Sequence, residues 1–187
     1  MARINDTANV LAFLDMLAWS EGTAGRGDDG YNKVVNGKDS PNFFNSYEDH
    51  PRILVTVNSK GLKSSAAGRY QFLSKDWTHY KDLLNLPDFG PISQDKWAIQ
   101  LIRERGAIDD IKAGRIVLAI RKCSNIWASL PGAGYGQPEH SLDKLIAKYV
   151  VFPTPVGVFL ARPNQPPFQA SLPHARGGVS YYSLSFR

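Results

Sequence analysis

The stretch "VLAFLDMLAWSEGT", residues 10–23, sets Val10, Phe13, Leu14 and Leu17 at three- and four-residue spacings, the period of an α-helix with an apolar face. Asp6 is placed to cap it. Glu21 lies one helical turn beyond Leu17, so it continues the apolar stripe at the C-terminal end of the helix, just ahead of a loop rich in Gly, Asp and Asn. A chain with this element has to bury the helix against other elements and then accommodate a carboxyl group at the edge of its core. Two readings of Glu21 follow. It is either a solvated or salt-bridged helix-end residue, or a carboxyl desolvated by apolar neighbours. In the second case its pKa rises and it can hold a proton near neutral pH, as a general acid must.

The rest of the chain supplies what such a helix needs to pack against. Residues 22–42, containing "GRGDDGYN", read as loop and turns. Two extended runs follow, "ILVTV" at 53–57 and "GRYQFL" at 68–73, and suggest a small antiparallel sheet. Ser74 is placed to cap "KDWTHYKDLLNL", which Pro87 ends, and Ser93 to cap "QDKWAIQLIRERG", which ends at Gly106. A further helix is predicted over 116–129, broken by "LPGAGYGQPE", and His140 or Ser141 opens "LDKLIAKY". Helices gathered around a small sheet make an α+β domain. With 187 residues, 43% apolar and 21% charged, one core is the expectation.

Composition narrows the partners. A net charge of +5 favours an anionic one, and nucleic acid, an acidic membrane face and an anionic wall polymer all qualify. No Lys/Arg run exceeds a dipeptide, so no dedicated nucleic-acid patch is visible. Cys123 is the sole thiol, which excludes an intrachain disulfide, points to a reducing compartment and, in a helical pattern, reads as a small buried residue. His50, His79, His140 and His174 lack metal-ligand spacing, and "GAGYG" is not preceded by a strand. No metal or cofactor is expected. Neither a signal peptide nor a membrane-length apolar run is seen, so no membrane insertion is expected and the protein is expected to accumulate in the cytoplasm.

The strings "AFLDMLAWSEGT", "YEDHPR", "AAGRYQ", "SQDKWAIQLIRERGA" and "RKCSNIWASLPGAGYGQ" resemble the lambda-type phage endolysins, peptidoglycan lytic transglycosylases, over about residues 10 to 149. The resemblance implies a lysozyme-like catalytic domain over about 5–150, with the family's catalytic glutamate, in "WSEGT", falling on Glu21. It further implies cleavage of the bond between N-acetylmuramic acid and N-acetylglucosamine with a 1,6-anhydro product, and release to the periplasm and cell wall at lysis through a separate holin. A monomer acting on peptidoglycan glycan strands is expected. Hydrolytic glycosidases add a second carboxylate, and Asp28, Asp29, Asp39 and Glu48 stand close enough in sequence to leave a hydrolytic lysozyme open, as is an inactive peptidoglycan-binding relic. As solvated turn residues these acids need no function.

Sugar contacts are expected from two segments. If "GRYQ" is a strand, Tyr70 and Gln71 point to opposite faces; the family's G-x-x-Q element lines the cleft, which favours Gln71, with Tyr70 retained as a candidate. Tyr135 and Gln137 sit in the Gly-rich loop, where an exposed aromatic has little core to join. Trp127 is expected in the core and His50 in a turn.

The resemblance stops at residue 150. Residues 151–187 are crowded with Pro and Gly and sustain neither a helical nor a strand period, so an irregular tail is expected. Residues 151–160 and 171–180 can both be encoded by one DNA string, GTCTTCCCCACGCCCGTGGGGGTGTTTC, read in two frames. Its CCCCACG and CGTGGGG are reverse complements, so the tail resembles the reading-through of a CRISPR repeat-spacer array, an expectation that sequencing the gene decides. A wall-binding or partner-binding extension is the functional alternative.

Overall fold

The computed structural model describes residues 1–136 and 138–150; the expectations for Gln137 and for residues 151–187 lie outside the described residues. The described residues form six helices and a short two-stranded sheet, in the order α1 (Ala8–Ser20), β1 (Val55–Thr56), β2 (Lys63–Ser64), α2 (Ser74–Leu84), α3 (Pro91–Glu104), α4 (Ile108–Lys112), α5 (Ile116–Cys123) and α6 (Leu142–Val150). This is the α+β class expected from the sequence.

Helix α1 is central. Every residue from Ala12 to Ala18 is buried, so the helix is enclosed on all sides rather than along one stripe. It packs on α6 and α4, and truncating a side chain such as Phe13 to Ala in this interior would cost about 3–5 kcal/mol. Thr7, not Asp6, is the N-cap residue, and Asp6 accepts the Thr7 N–H instead. Pro91 starts α3 two residues ahead of Ser93, whose hydroxyl donates to Asp88 Oδ1 at 3.0 Å. Asn85, in the left-handed region, closes α2 before Pro87. Helix α5 ends at Cys123, short of the predicted 129, and α4 has no counterpart in the sequence reading.

The sheet differs most from expectation. β1 falls inside "ILVTV", but its antiparallel partner is Lys63–Ser64, with Val55 opposite Ser64 and Thr56 opposite Lys63. The run "GRYQFL" is a tight turn, its ends tied by the antiparallel bridge between Ala67 and Phe72. Two left-handed residues, Gly68 (φ +80°) and Gln71 (φ 52°), make the reversal. A side chain on Gly68 would collide with the Gln94 amide, so only glycine fits there.

Buried polar groups lock the N-terminal segment and this turn onto the helices. Asp95 on α3 takes four donors: the hydroxyls of Tyr31 (2.9 Å) and Tyr70 (2.6 Å) and the backbone N–H groups of Arg3 (2.7 Å) and Ile4 (2.9 Å). Arg69 crosses to Asp15 on α1 at 2.7 Å and to Asp29 at 2.9 Å. Gln94 accepts the Arg69 N–H and donates to the carbonyls of Tyr31 and Phe89, each at 2.8 Å. Among the described residues no helix is long and apolar enough to cross a membrane.

Candidate active site

Glu21 is the C-cap of α1, with its N–H donating to Leu17 O at 2.9 Å. Gly22, at φ +68°, turns the chain away from the helix axis. Thr23 then anchors the exit, its hydroxyl bridging Ala18 O (3.0 Å) and Arg69 O (2.6 Å). Trp19 packs against the His140 ring, 4.6 Å between centroids, and His140 Nε2 lies 3.1 Å from Ser20 O. "WSEGT" is therefore a helix end pinned on both sides of its glutamate.

The Glu21 side chain is half-buried in a cleft of about 490 Å³. Ser20, Val35, Asn36, Val57, Gln71, Ala128, Ser129 and Pro138 line the cleft with it. Burial pushes the Glu21 carboxyl up to about 7, and the hydrogen bond from Ser129 opposes that rise. The carbonyl end of α1 acts with burial, since it disfavours negative charge there. Ser129 Oγ donates to Glu21 Oε1 at 2.6 Å and stands 3.1 Å from Ser20 Oγ, which itself donates to Leu17 O at 2.8 Å.

The other acids lie elsewhere. Asp28 is held by Arg3 and by the Tyr47 hydroxyl, which together keep its carboxyl below the usual range. Asp29 is paired with Arg69 and the Met1 amino group, and is likewise held below the usual range by those donors against the opposing pull of burial. Asp39 and Glu48 are exposed and do not line the cleft. Among the described residues of the cleft, Glu21 is the one carboxylate.

Gln71 lines the same cleft as Glu21, from a turn and not a strand, and its amide donates to Gly68 O at 2.9 Å. Tyr70 is corrected. It borders a second depression beyond Gln71 but is 1% exposed, with its hydroxyl turned inward to Asp95, so it packs in the core and presents no donor to a ligand. Tyr135 is 57% exposed, donates to Asn125 O at 2.8 Å and does not line the cleft. Trp127 is buried, as expected, with its indole N–H on Tyr70 O at 3.2 Å. His50 closes a turn: Nδ1 accepts the Arg52 N–H and Nε2 faces Phe72 O, both at 3.0 Å. Burial raises the Cys123 thiol to about 12, which makes it inert. Among the described residues no acid, His and Cys group could hold a metal.

Ser129 and Asn36 escaped the sequence reading. Ser129 stands 108 positions from Glu21, and no local pattern joins them.

The family described as Endolysin matches residues 11–154. The chain belongs to the endolysin family. It is 58% identical over 154 residues to the endolysin of Escherichia phage P2, covering 78% of this chain and 93% of that one. It is 56% identical over 153 residues to the endolysin of Escherichia phage lambda, covering 80% and 92%. A solved structure of bacteriophage lambda lysozyme complexed with a chitohexasaccharide superposes with a TM-score of 0.73 at 54% identity, over 79% of this chain and 95% of that one. A second, of lysozyme from bacteriophage lambda, gives 0.69 at 53% identity over the same shares. The endolysin fold is thus lysozyme-like, and this endolysin acts on peptidoglycan in host lysis.

Proposed function

We propose that this endolysin is a lytic transglycosylase in which Glu21 serves as both acid and base. Its single supporting observation is the solitary, desolvated Glu21 carboxyl in a cleft whose described lining holds no second acid. Protonated Glu21 gives its proton to the glycosidic oxygen as the bond from C1 of N-acetylmuramic acid breaks, and N-acetylglucosamine leaves with a free 4-hydroxyl. The oxocarbenium-like C1 is then attacked by the C6 hydroxyl of the same sugar. Its proton passes to the Glu21 carboxylate as the O6–C1 bond forms, which restores the acid. Water takes no part, so no second carboxylate is required to activate it.

Ser129 suits both halves of this cycle. When Glu21 is ionised, the Ser129 hydroxyl donates to it. When Glu21 is protonated, Glu21 donates to Ser129, whose proton turns to Ser20 Oγ 3.1 Å away. Gln71 and the walls of the cleft hold the glycan strand, as the lambda lysozyme complex with a chitohexasaccharide suggests by similarity. Before lysis the monomer waits in the host cytoplasm and reaches the wall through a holin lesion.

Mass spectrometry of muropeptides released from purified peptidoglycan tests the reaction. The 1,6-anhydro product, lighter by one water than a hydrolysis product, is expected. Reducing-end products alone would overturn the assignment in favour of a muramidase.

A further inference from the structure

We propose that Asn36 reads an amide carbonyl of the substrate through a side chain whose orientation is set by Lys33; the assignment rests on the cleft being the glycan site. Lys33 is 3% exposed, yet among the described residues no carboxylate pairs with it. Its ammonium lies over the Phe43 ring at 5.4 Å and donates to Asn36 Oδ1 at 2.8 Å, with Asn42 O at 3.3 Å and Asn42 Oδ1 at 3.5 Å. A buried cation with neutral partners alone is costly to a fold. Here the cost fixes one thing: an ammonium has only donors, so the face of the Asn36 amide turned to Lys33 must be its oxygen.

The amide NH2 of Asn36 is thereby left on the side away from Lys33, and Asn36 lines the same cleft as Glu21. The segment that carries it is rigid. Val35 N–H bonds to Ala66 O at 2.9 Å and Lys38 N–H to Thr56 O at 3.0 Å. Gly37 sits so close to β1 that a Cβ there would lie 2.4 Å from Thr56 O. Asn36 is exposed at the crest of this clamped turn. Two N–H donors in a fixed direction recognise a carbonyl oxygen and reject a donor. Peptidoglycan offers that acceptor on its sugars, as the acetamido groups, and on its peptide stems, beginning with the lactyl amide.

Binding measurements on the Glu21→Gln protein, which does not turn substrate over, separate the cases. Chitohexaose carries acetamido carbonyls only, and pelleting with purified peptidoglycan presents both kinds. Asn36→Ala is expected to weaken chitohexaose binding by roughly five- to tenfold, the worth of a neutral hydrogen bond, with a thermal midpoint lowered by no more than that of Lys33→Met, whose binding loss is the smaller. Lys33→Met, which keeps the amide but frees its orientation, is expected to lose less. The double variant is expected to bind no worse than Asn36→Ala alone, since Lys33 acts only through Asn36. A loss confined to peptidoglycan would support the same donor acting on the lactyl amide. Unchanged binding of both ligands by Asn36→Ala would overturn the inference and leave the transglycosylase reading standing. If the parent protein bound neither, both would fall.

Discussion

Helix α1 and its C-cap carry two acids with opposite surroundings. Asp15, 1% exposed, accepts from the Arg69 guanidinium at 2.7 Å and the Ala2 N–H at 2.7 Å. Glu21, fewer than two turns on, faces one hydroxyl and, among the described residues, no cation. The guanidinium makes charge tolerable at Asp15, and the carboxyl there ties α1 to the turn at 68–71. Lacking such a partner, Glu21 is stabilised as the neutral acid. One helix thus holds a structural acid and a chemical one, and what distinguishes them is the company each keeps.

The most severe way to break this comparison is Glu21→Gln. It keeps the shape of the side chain and removes its proton chemistry, so lysis of chloroform-treated Gram-negative cells, followed by turbidity, is expected to fall by about a thousandfold. Equal clearing by both proteins would refute the catalytic role. At the other acid, Arg69→Met strands Asp15 without its cation and is expected to destabilise the fold by about 3–5 kcal/mol in urea unfolding. A cost below about 1 kcal/mol would mean that the pair does not hold the turn to α1.

The contrast also has a pH signature. The Glu21 carboxyl rises from 4.5 to about 7 on folding, so between those values the folded protein binds a proton that the unfolded chain releases. The contribution of Glu21 to stability is therefore fully present below the lower value and is lost as pH rises through the higher one. Glu21→Gln lacks this dependence. It is expected to be more stable than the wild type by on the order of 1–3 kcal/mol at pH 8 and indistinguishable near pH 4. Parallel unfolding curves at both pH values would falsify the neutral-acid state. The smallest expected effect is that of Ser129→Ala. Removing a donor that favours the carboxylate raises the Glu21 pKa further, so the alkaline limb of the pH–rate profile moves to higher pH while activity drops a few-fold. A drop without movement of the limb would make Ser129 a packing residue.

Where the sequence was legible, a local period or a glycine carried the message. The spacing of Val10, Phe13, Leu14 and Leu17 marks α1, and Gly22 marks its end, so Glu21 was in view before any fold. The turn at 68–71 was not. Tyr70 and Phe72 have strand-like chemistry, but the chain reverses there because Gln94, from α3, occupies the space that any side chain at 68 would need. A strand's alternation therefore misplaced Tyr70. Helix α4 spans five residues, too few for a period to show. Ser129 and Asn36 become site residues only when the 108-residue interval to Glu21 and the Lys33 clamp are closed in three dimensions.

The Gln94 amide, which spends both ends on three separate segments, bears on the lifetime of the protein. Its partners Arg69 and Tyr31 lie 25 and 63 positions away, so its bonds join late, after the elements they connect have come together. Interactions absent from the folding transition state act chiefly on the rate of unfolding. Replacing Gln94 by Leu is thus expected to steepen loss of the folded state in stopped-flow unfolding with little change in the refolding arm. Where cleavage of the opened chain outpaces its reclosing, that clamp governs how long a folded molecule survives proteolysis.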